Sequence, residues 1–412
     1  MATPSEPTPV NDKNTKMAQA AVMPTYGRID LSFVRGDGSY LYTEDDKAYL
    51  DCASGIAVTT LGHNHDGLRS ALHAQIDKLW HTSNLFRIPG QEKLALRLAQ
   101  AAKLDQVFFC NSGAEANEAA VKMARRYQHR SGAPERMRVI CAGGAFHGRT
   151  LAMLAATDRP AFREGFGPMP EGFDHVPFGN MNALRDALGP DVAAIMIEPV
   201  QGEGGANAAP AGYMQAVREA ASEFGALMIA DEVQSGMGRA GYMFSYQAAD
   251  CQPDLVVLAK GLGGGFPIGA VIARKEIGAA MGPGSHGSTF GGNPLAMAAG
   301  NAVMDVLEDD GFMAGVRSRA AHLDAGLQAL QSANPKRIEE IRGTGFLRGL
   351  KLADMFEAGA LCTALREKQI LTVPAAENTL RLLPPLTISL DEIDIVLAGL
   401  ADAVEQLAHK AQ

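Results

Sequence analysis

Between about Gly67 and Gly300 the chain alternates short apolar runs with helical patterns. The runs 107–110, 139–141, 193–197, 227–230 and 255–258 are apolar at every position. A strand buried on both faces belongs in a mostly parallel sheet covered by helices, so this stretch predicts a large α/β domain. Residues from about 26 to 55 instead alternate polar and apolar, with turns at Gly36-Asp-Gly38 and Glu44-Asp-Asp46. They predict short strands lying outside the main sheet. After Asn301 come a long amphipathic helix, strands near 345–351 and 380–383, and a terminal helix. The expected organisation is a flexible tail over 1–23, the first part of a small α+β domain over 24–66, the large domain over 67–300, and the rest of the small domain over 301–412.

The 412 residues carry a net charge of −9, with 20% charged and 47% hydrophobic residues. That balance fits a globular enzyme and argues against nucleic acid or an anionic membrane as partner. The five cysteines are widely spaced without a C-x-x-C pair, which predicts reduced core residues of a cytoplasmic protein rather than a disulfide frame or zinc site. No apolar run approaches a membrane span, and the first twenty-odd residues lack the apolar stretch of a signal peptide.

Candidate chemistry gathers where the apolar runs end. Asp231 closes one run, and Lys260 closes another before a glycine-rich turn, Gly261-Leu-Gly-Gly-Gly265. Strands of such a sheet deliver their carboxyl ends to one crevice, so an amine and a carboxylate can meet there. That pair suits pyridoxal phosphate: the amine can hold the cofactor covalently, and the carboxylate can keep its ring nitrogen protonated. Taken alone, a lysine after a strand is more often solvated and an aspartate more often a cap.

Neighbouring segments add weight. Ser112-Gly113-Ala114 turns from a strand into a helix, where free N–H groups and the helix dipole favour phosphate, although an isolated Ser-Gly is commonly a plain N-cap. Phe146 and Arg149 supply a ring for stacking and a guanidinium fork for a carboxylate. Neither glycine-rich stretch, 202–205 or 261–265, opens a helix as a dinucleotide site requires. His63-x-His65 lacks a third metal ligand, so no metal is expected; His63 reads as a loop residue and Asp66 as the cap of a helix reaching Leu79. Ser112, His147 and Asp231 do not form a hydrolase set, because Ser112 is not in a nucleophile elbow.

Together the segments SGIAVTTLGH (54–63), LWHTSN (79–84), FCNSGAEANE (109–118), AFHGRT (145–150), EPVQGEGG (198–205), ADEVQSGMGR (230–239), AKGLGGGFP (259–267) and HGSTFGGNP (286–294) resemble the class III (subgroup II) aminotransferases of fold type I, most nearly the branch acting on N-acetylornithine. The resemblance runs from about Pro24 to Ala408. It implies pyridoxal phosphate as cofactor, with Lys260 as the Schiff-base lysine and Asp231 facing the pyridinium nitrogen. Val233 and Phe146 would sandwich the ring, Gln234 would bond its phenolic oxygen, and Ser112, Gly113 and Ala114 would cradle the phosphate. Ser288 and Thr289 would reach the phosphate of the other subunit in a homodimer. Arg149 would bind the carboxylate of N-acetylornithine, Arg381 that of 2-oxoglutarate or glutamate, and Glu203 would pair with Arg381 when the donor has no carboxylate there. The implied reaction moves the δ-amino group of N-acetylornithine to 2-oxoglutarate. Ile56 stands where ornithine δ-aminotransferases carry tyrosine, which favours an acylated donor. Succinylornithine and N-succinyl-diaminopimelate transaminases share nearly every motif and stay open, with ornithine and γ-aminobutyrate further off.

Overall fold

A computed structural model describes residues 20–410; most of the expected tail, residues 1–19, lies outside them. A seven-stranded sheet forms the centre. Its strands run in the order Gln106–Cys110, Gly269–Ala273, Leu255–Leu258, Leu227–Asp231, Val192–Ile197, Arg138–Ala142 and Phe173–Val176. Every pairing is parallel except the two made by Gly269–Ala273, which is antiparallel to both neighbours. The five apolar runs seen in the sequence are strands here. Gly269–Ala273 is a strand they did not predict, fully buried and set directly after the glycine-rich turn.

Two layers of core cover the sheet. Ile195, Met228, Val256 and Ile272 face one side with Val217, Leu258 and Met304. Met196, Ile229, Val257 and Val271 face the other, against Ala116, Ala120 and Met123 of the helix Gly113–Arg130. Period-two alternation thus divides each strand between two apolar faces, as a sheet with helices on both sides demands.

Strands from the two chain ends meet in a second sheet, where Ile370–Leu371 pairs parallel with Ala48–Asp51. A third, antiparallel sheet orders Ile338–Thr344, Leu347–Leu352, Thr379–Leu382 and Val373–Ala375. The helical pattern after Asn301 resolves into two helices, Pro294–Leu307 and Asp310–Ala333, with the Asp309 side chain capping the second. The helix expected to begin on an Asp66 cap spans Asp66–Ile76, and the ring of His65 is its cap instead. No helix among the described residues is long and apolar enough to cross a membrane.

Candidate active site

The parallel strands bring their carboxyl ends to one edge, and a cavity of about 380 Å³ opens there. Ser112, Gly113, Ala114, Phe146, Arg149, Asp231, Val233, Gln234 and Lys260, nine residues singled out in the sequence, line it. A larger hollow of about 600 Å³ lies elsewhere, around Phe108, Met123 and Met281, and holds none of these groups.

Lys260 sits just past Leu255–Leu258 with φ of 44°, a left-handed conformation that a side-chain-bearing residue adopts at a cost of about 1 kcal/mol. Its amine projects into the cavity and makes no hydrogen bond or ion pair among the described residues. Burial by the cavity walls lowers its pKa to about 8, so a useful fraction is neutral near neutral pH.

Asp231 ends its strand almost wholly buried. One carboxylate oxygen accepts the Val233 N–H at 3.0 Å. The other meets the Nδ1 of His147 at 2.7 Å and accepts the Asn117 side-chain amide at 2.7 Å. Burial works against a charge on His147, but the bond to Asp231, helped by the nearby Cys141, outweighs it, and the ring's pKa lies well above the usual value. An imidazolium and an amide therefore both meet the same oxygen of Asp231 beneath the cavity. The next residue, Glu232, points away, accepting from the Ser235 hydroxyl and the Tyr246 N–H.

Ser112 caps the helix Gly113–Arg130, accepting the Glu115 N–H at 3.2 Å. The cap reading of Ser112 is thus correct, and it leaves the N–H groups of Gly113 and Ala114 free at the head of an 18-residue helix. A Cβ on Gly113 would meet Val233 Cγ1 at 2.8 Å, so a side chain here would push the cavity wall inward.

Glu198 lies buried between two loops of the site. It accepts the Phe146 N–H at 2.8 Å and the Gly202 N–H at 3.3 Å, and burial pushes its pKa up to about 7. Gly202 has no room for a side chain, since a Cβ would lie 2.0 Å from Gln234 Oε1. Gln234 in turn accepts from Arg381 at 2.7 Å. Arg381, 1% exposed, also donates to Glu203 at 2.7 Å. Burial alone would raise the Glu203 pKa, but Arg381 overrides it and the net shift is downward.

Arg149 is held differently. It makes no hydrogen bond or ion pair among the described residues, and its guanidinium lies 3.6 Å above the ring of Phe162. Ile56 does not line the cavity. Ser54, Gly55, Ile56 and Ala57 all have positive φ, a left-handed turn held by Asp51, whose carboxylate accepts the Ala53 and Ser54 N–H groups. That turn delivers Val58 to the wall and leaves Ile56 40% exposed. Ser288 and Thr289 lie outside the cavity too, beside Asn111 and Glu115 in a neighbouring hollow. Asn117, His147 and Glu198 were not picked as functional. A polar residue on the alanine-rich face of the helix Gly113–Arg130 was the only hint for Asn117.

The residues fit pyridoxal phosphate: a desolvated unpaired amine, a buried carboxylate bonded to a histidine, an aromatic wall and free helix N–H groups surround one cavity. Such a fold and site define an aminotransferase of the pyridoxal phosphate type. The chain belongs to the family Aminotransferase class-III, whose sequence model matches residues 22–404. It is 50% identical over 384 residues to the acetylornithine aminotransferase of Brucella melitensis, covering 93% of this chain and 95% of that one. Among solved structures, the N-acetylornithine aminotransferase of Stenotrophomonas maltophilia is 35% identical with a TM-score of 0.82, covering 93% of this chain and 98% of that one. The ornithine aminotransferase of Toxoplasma gondii is 28% identical with a TM-score of 0.93, covering 97% and 96%.

Proposed function

We propose that this enzyme transfers the δ-amino group of N-acetylornithine to 2-oxoglutarate, yielding N-acetylglutamate 5-semialdehyde and glutamate, and that it serves arginine biosynthesis in the reverse direction. One observation carries the reading: Arg149 lines the cavity and is open, while Arg381 lies behind its wall, bonded to the lining residue Gln234 and closed by Glu203. N-acetylornithine offers one carboxylate, distant from its reacting amine, whereas 2-oxoglutarate offers a second carboxylate next to its reacting carbon. A gated arginine accepts both, because an unpaired buried guanidinium is costly and Glu203 covers it when the donor cannot.

When bound, pyridoxal phosphate supplies an aldehyde that joins amines reversibly and a ring that takes up the electrons of a broken C–H bond. Gly113 and Ala114 would hold its phosphate with Ser112 shaping the turn, Phe146 and Val233 would flank its ring, and Gln234 would bond its phenolic oxygen. Asp231, bonded to His147, would hold a proton on the ring nitrogen. Lys260 would hold the cofactor through its amine and, as a desolvated base, could take the proton from the donor δ-carbon. Arg149 orients the donor through its carboxylate, and Val58, which lines the wall where Ile56 does not, gives it an apolar contact.

The working unit is a homodimer in which Ser288 and Thr289 complete the other subunit's phosphate site. Trp80, Leu85, Phe86 and Phe290 support this, forming an exposed apolar region beside those two residues. Five buried, unpaired cysteines favour a reducing, cytoplasmic setting. The substrate test compares N-acetylornithine, succinylornithine, ornithine and γ-aminobutyrate as limiting donors with 2-oxoglutarate. N-acetylornithine should form glutamate fastest; a lead for succinylornithine would keep the chemistry and replace the donor.

A further inference from the structure

We infer that Phe162 is a positioning residue that sets donor specificity by presenting Arg149 edge-on to the donor carboxylate; this rests on the donor-clamp role proposed for Arg149. A guanidinium has two chemically different aspects: a flat face that stacks on aromatic rings and an edge that carries every N–H. Phe162 takes the face of Arg149, with 3.6 Å from the guanidinium carbon to the ring centroid. The edge therefore stays free for a bidentate carboxylate. Arg381 is held the opposite way, its edge already engaged by Glu203 and Gln234. One clamp is thus permanently open and the other must be vacated, as an enzyme taking two dissimilar substrates in turn requires.

The ring is itself fixed at several points. Phe162 lies in the short turn of helix Pro160–Arg163 and meets Phe146 of the cavity wall edge-to-face, with centroids 6.2 Å apart. Next to it, Arg163 donates to the carbonyls of Leu154 and Ala155 at 3.0 Å and of Thr157, closing the end of the helix Leu151–Ala156. Thr157 accepts the His147 N–H at 3.0 Å. Arg159 donates to the backbone carbonyl of Glu203. Residues 157–163 therefore form a strap joining the open clamp, the His147–Asp231 pair and the gate of the second clamp.

The test uses the cofactor-loaded enzyme and N-acetylnorvaline, which keeps the acylated amino acid and its carboxylate but lacks the δ-amine. Phe162→Leu should weaken N-acetylnorvaline binding in calorimetry roughly 3- to 10-fold, the range of a partly exposed cation–π contact. It should raise KM for N-acetylornithine by a similar factor with kcat within about twofold. Phe162→Tyr, which keeps the ring, should restore both. Melting temperature and pyridoxal phosphate retention should not move, which separates positioning from general damage. Phenylglyoxal labelling of Arg149, read by peptide mass spectrometry, should speed up in Phe162→Leu as the stacked face is uncovered. Unchanged N-acetylnorvaline affinity, failure of Phe162→Tyr to restore it, or parallel loss of cofactor and fold stability would overturn the inference. A wild-type enzyme that ignores N-acetylnorvaline but binds another donor analogue refutes the N-acetylornithine reading instead, and the labelling rate then still decides whether Phe162 holds Arg149.

Discussion

Replacing Glu203 by alanine separates a gate from a mere ion pair. Arg381 is 1% exposed, and with Glu203 gone it keeps only the Gln234 carbonyl at 2.7 Å, while its Nε already lacks a partner. Breaking a fully buried pair costs about 3–5 kcal/mol. The Glu203 side chain is 27% exposed and Gln234 remains, so the cost falls to or just below the bottom of that range, about 2–3 kcal/mol. In a chain of this size that loss lowers the melting temperature by about 3 °C. The same energy opposes a dicarboxylate in the wild type, because the ligand must first displace Glu203. Glutarate should therefore bind Glu203→Ala at least about tenfold more tightly and recover most of the lost melting temperature. Thermal melts across a glutarate titration, with the donor panel repeated on the variant, measure both effects. An unchanged melting temperature together with unchanged glutarate affinity would refute the gate, as would a donor preference that does not move toward dicarboxylates.

Asp231→Asn removes the charge that His147 and Asn117 hold in place; losing about 3 kcal/mol there should lower kcat/KM roughly a hundredfold, read by steady-state kinetics. Gly202→Ala drives a Cβ into Gln234, so it should raise KM for 2-oxoglutarate more than for N-acetylornithine in paired half-reactions. Only the neutral Lys260 amine can capture the cofactor aldehyde, and its pKa is lowered to about 8. Reconstitution of the apoenzyme with pyridoxal phosphate, followed by absorbance, should slow as pH falls below about 8 and level off above it. The linkage has the matching sign. Between pH 8 and the unfolded lysine value the unfolded chain binds more protons, so this group's burden on the apo fold is full below about pH 8 and fades as pH rises.

Much of the site was legible because its residues sit where apolar runs stop. A run buried on both faces must end at the sheet edge, so Asp231 and Lys260 were placed in one crevice by the pattern of their neighbours. Gly269–Ala273 was missed because a glycine-rich turn and small residues blur a strand's outline. Ile56 shows another limit: the sequence places it in a motif, but four successive left-handed residues turn its side chain away from the cavity and bring Val58 in. His147 and Glu198 act through contacts with residues far along the chain, Asp231 and Phe146, and no local pattern encodes such pairs. The Phe162 shelf is likewise a meeting of two turns, one carrying Phe146 and Arg149 and the other Phe162.

The most direct test of the whole account follows the nitrogen itself. N-acetylornithine labelled with heavy nitrogen at the δ-amine is incubated with enzyme and 2-oxoglutarate, and the glutamate is analysed by mass spectrometry. Wild-type enzyme should place the label in glutamate with matching release of the semialdehyde, and Lys260→Ala should transfer none above background. Label appearing in glutamate at wild-type rate with Lys260→Ala, or unlabelled glutamate from the wild type, would contradict it.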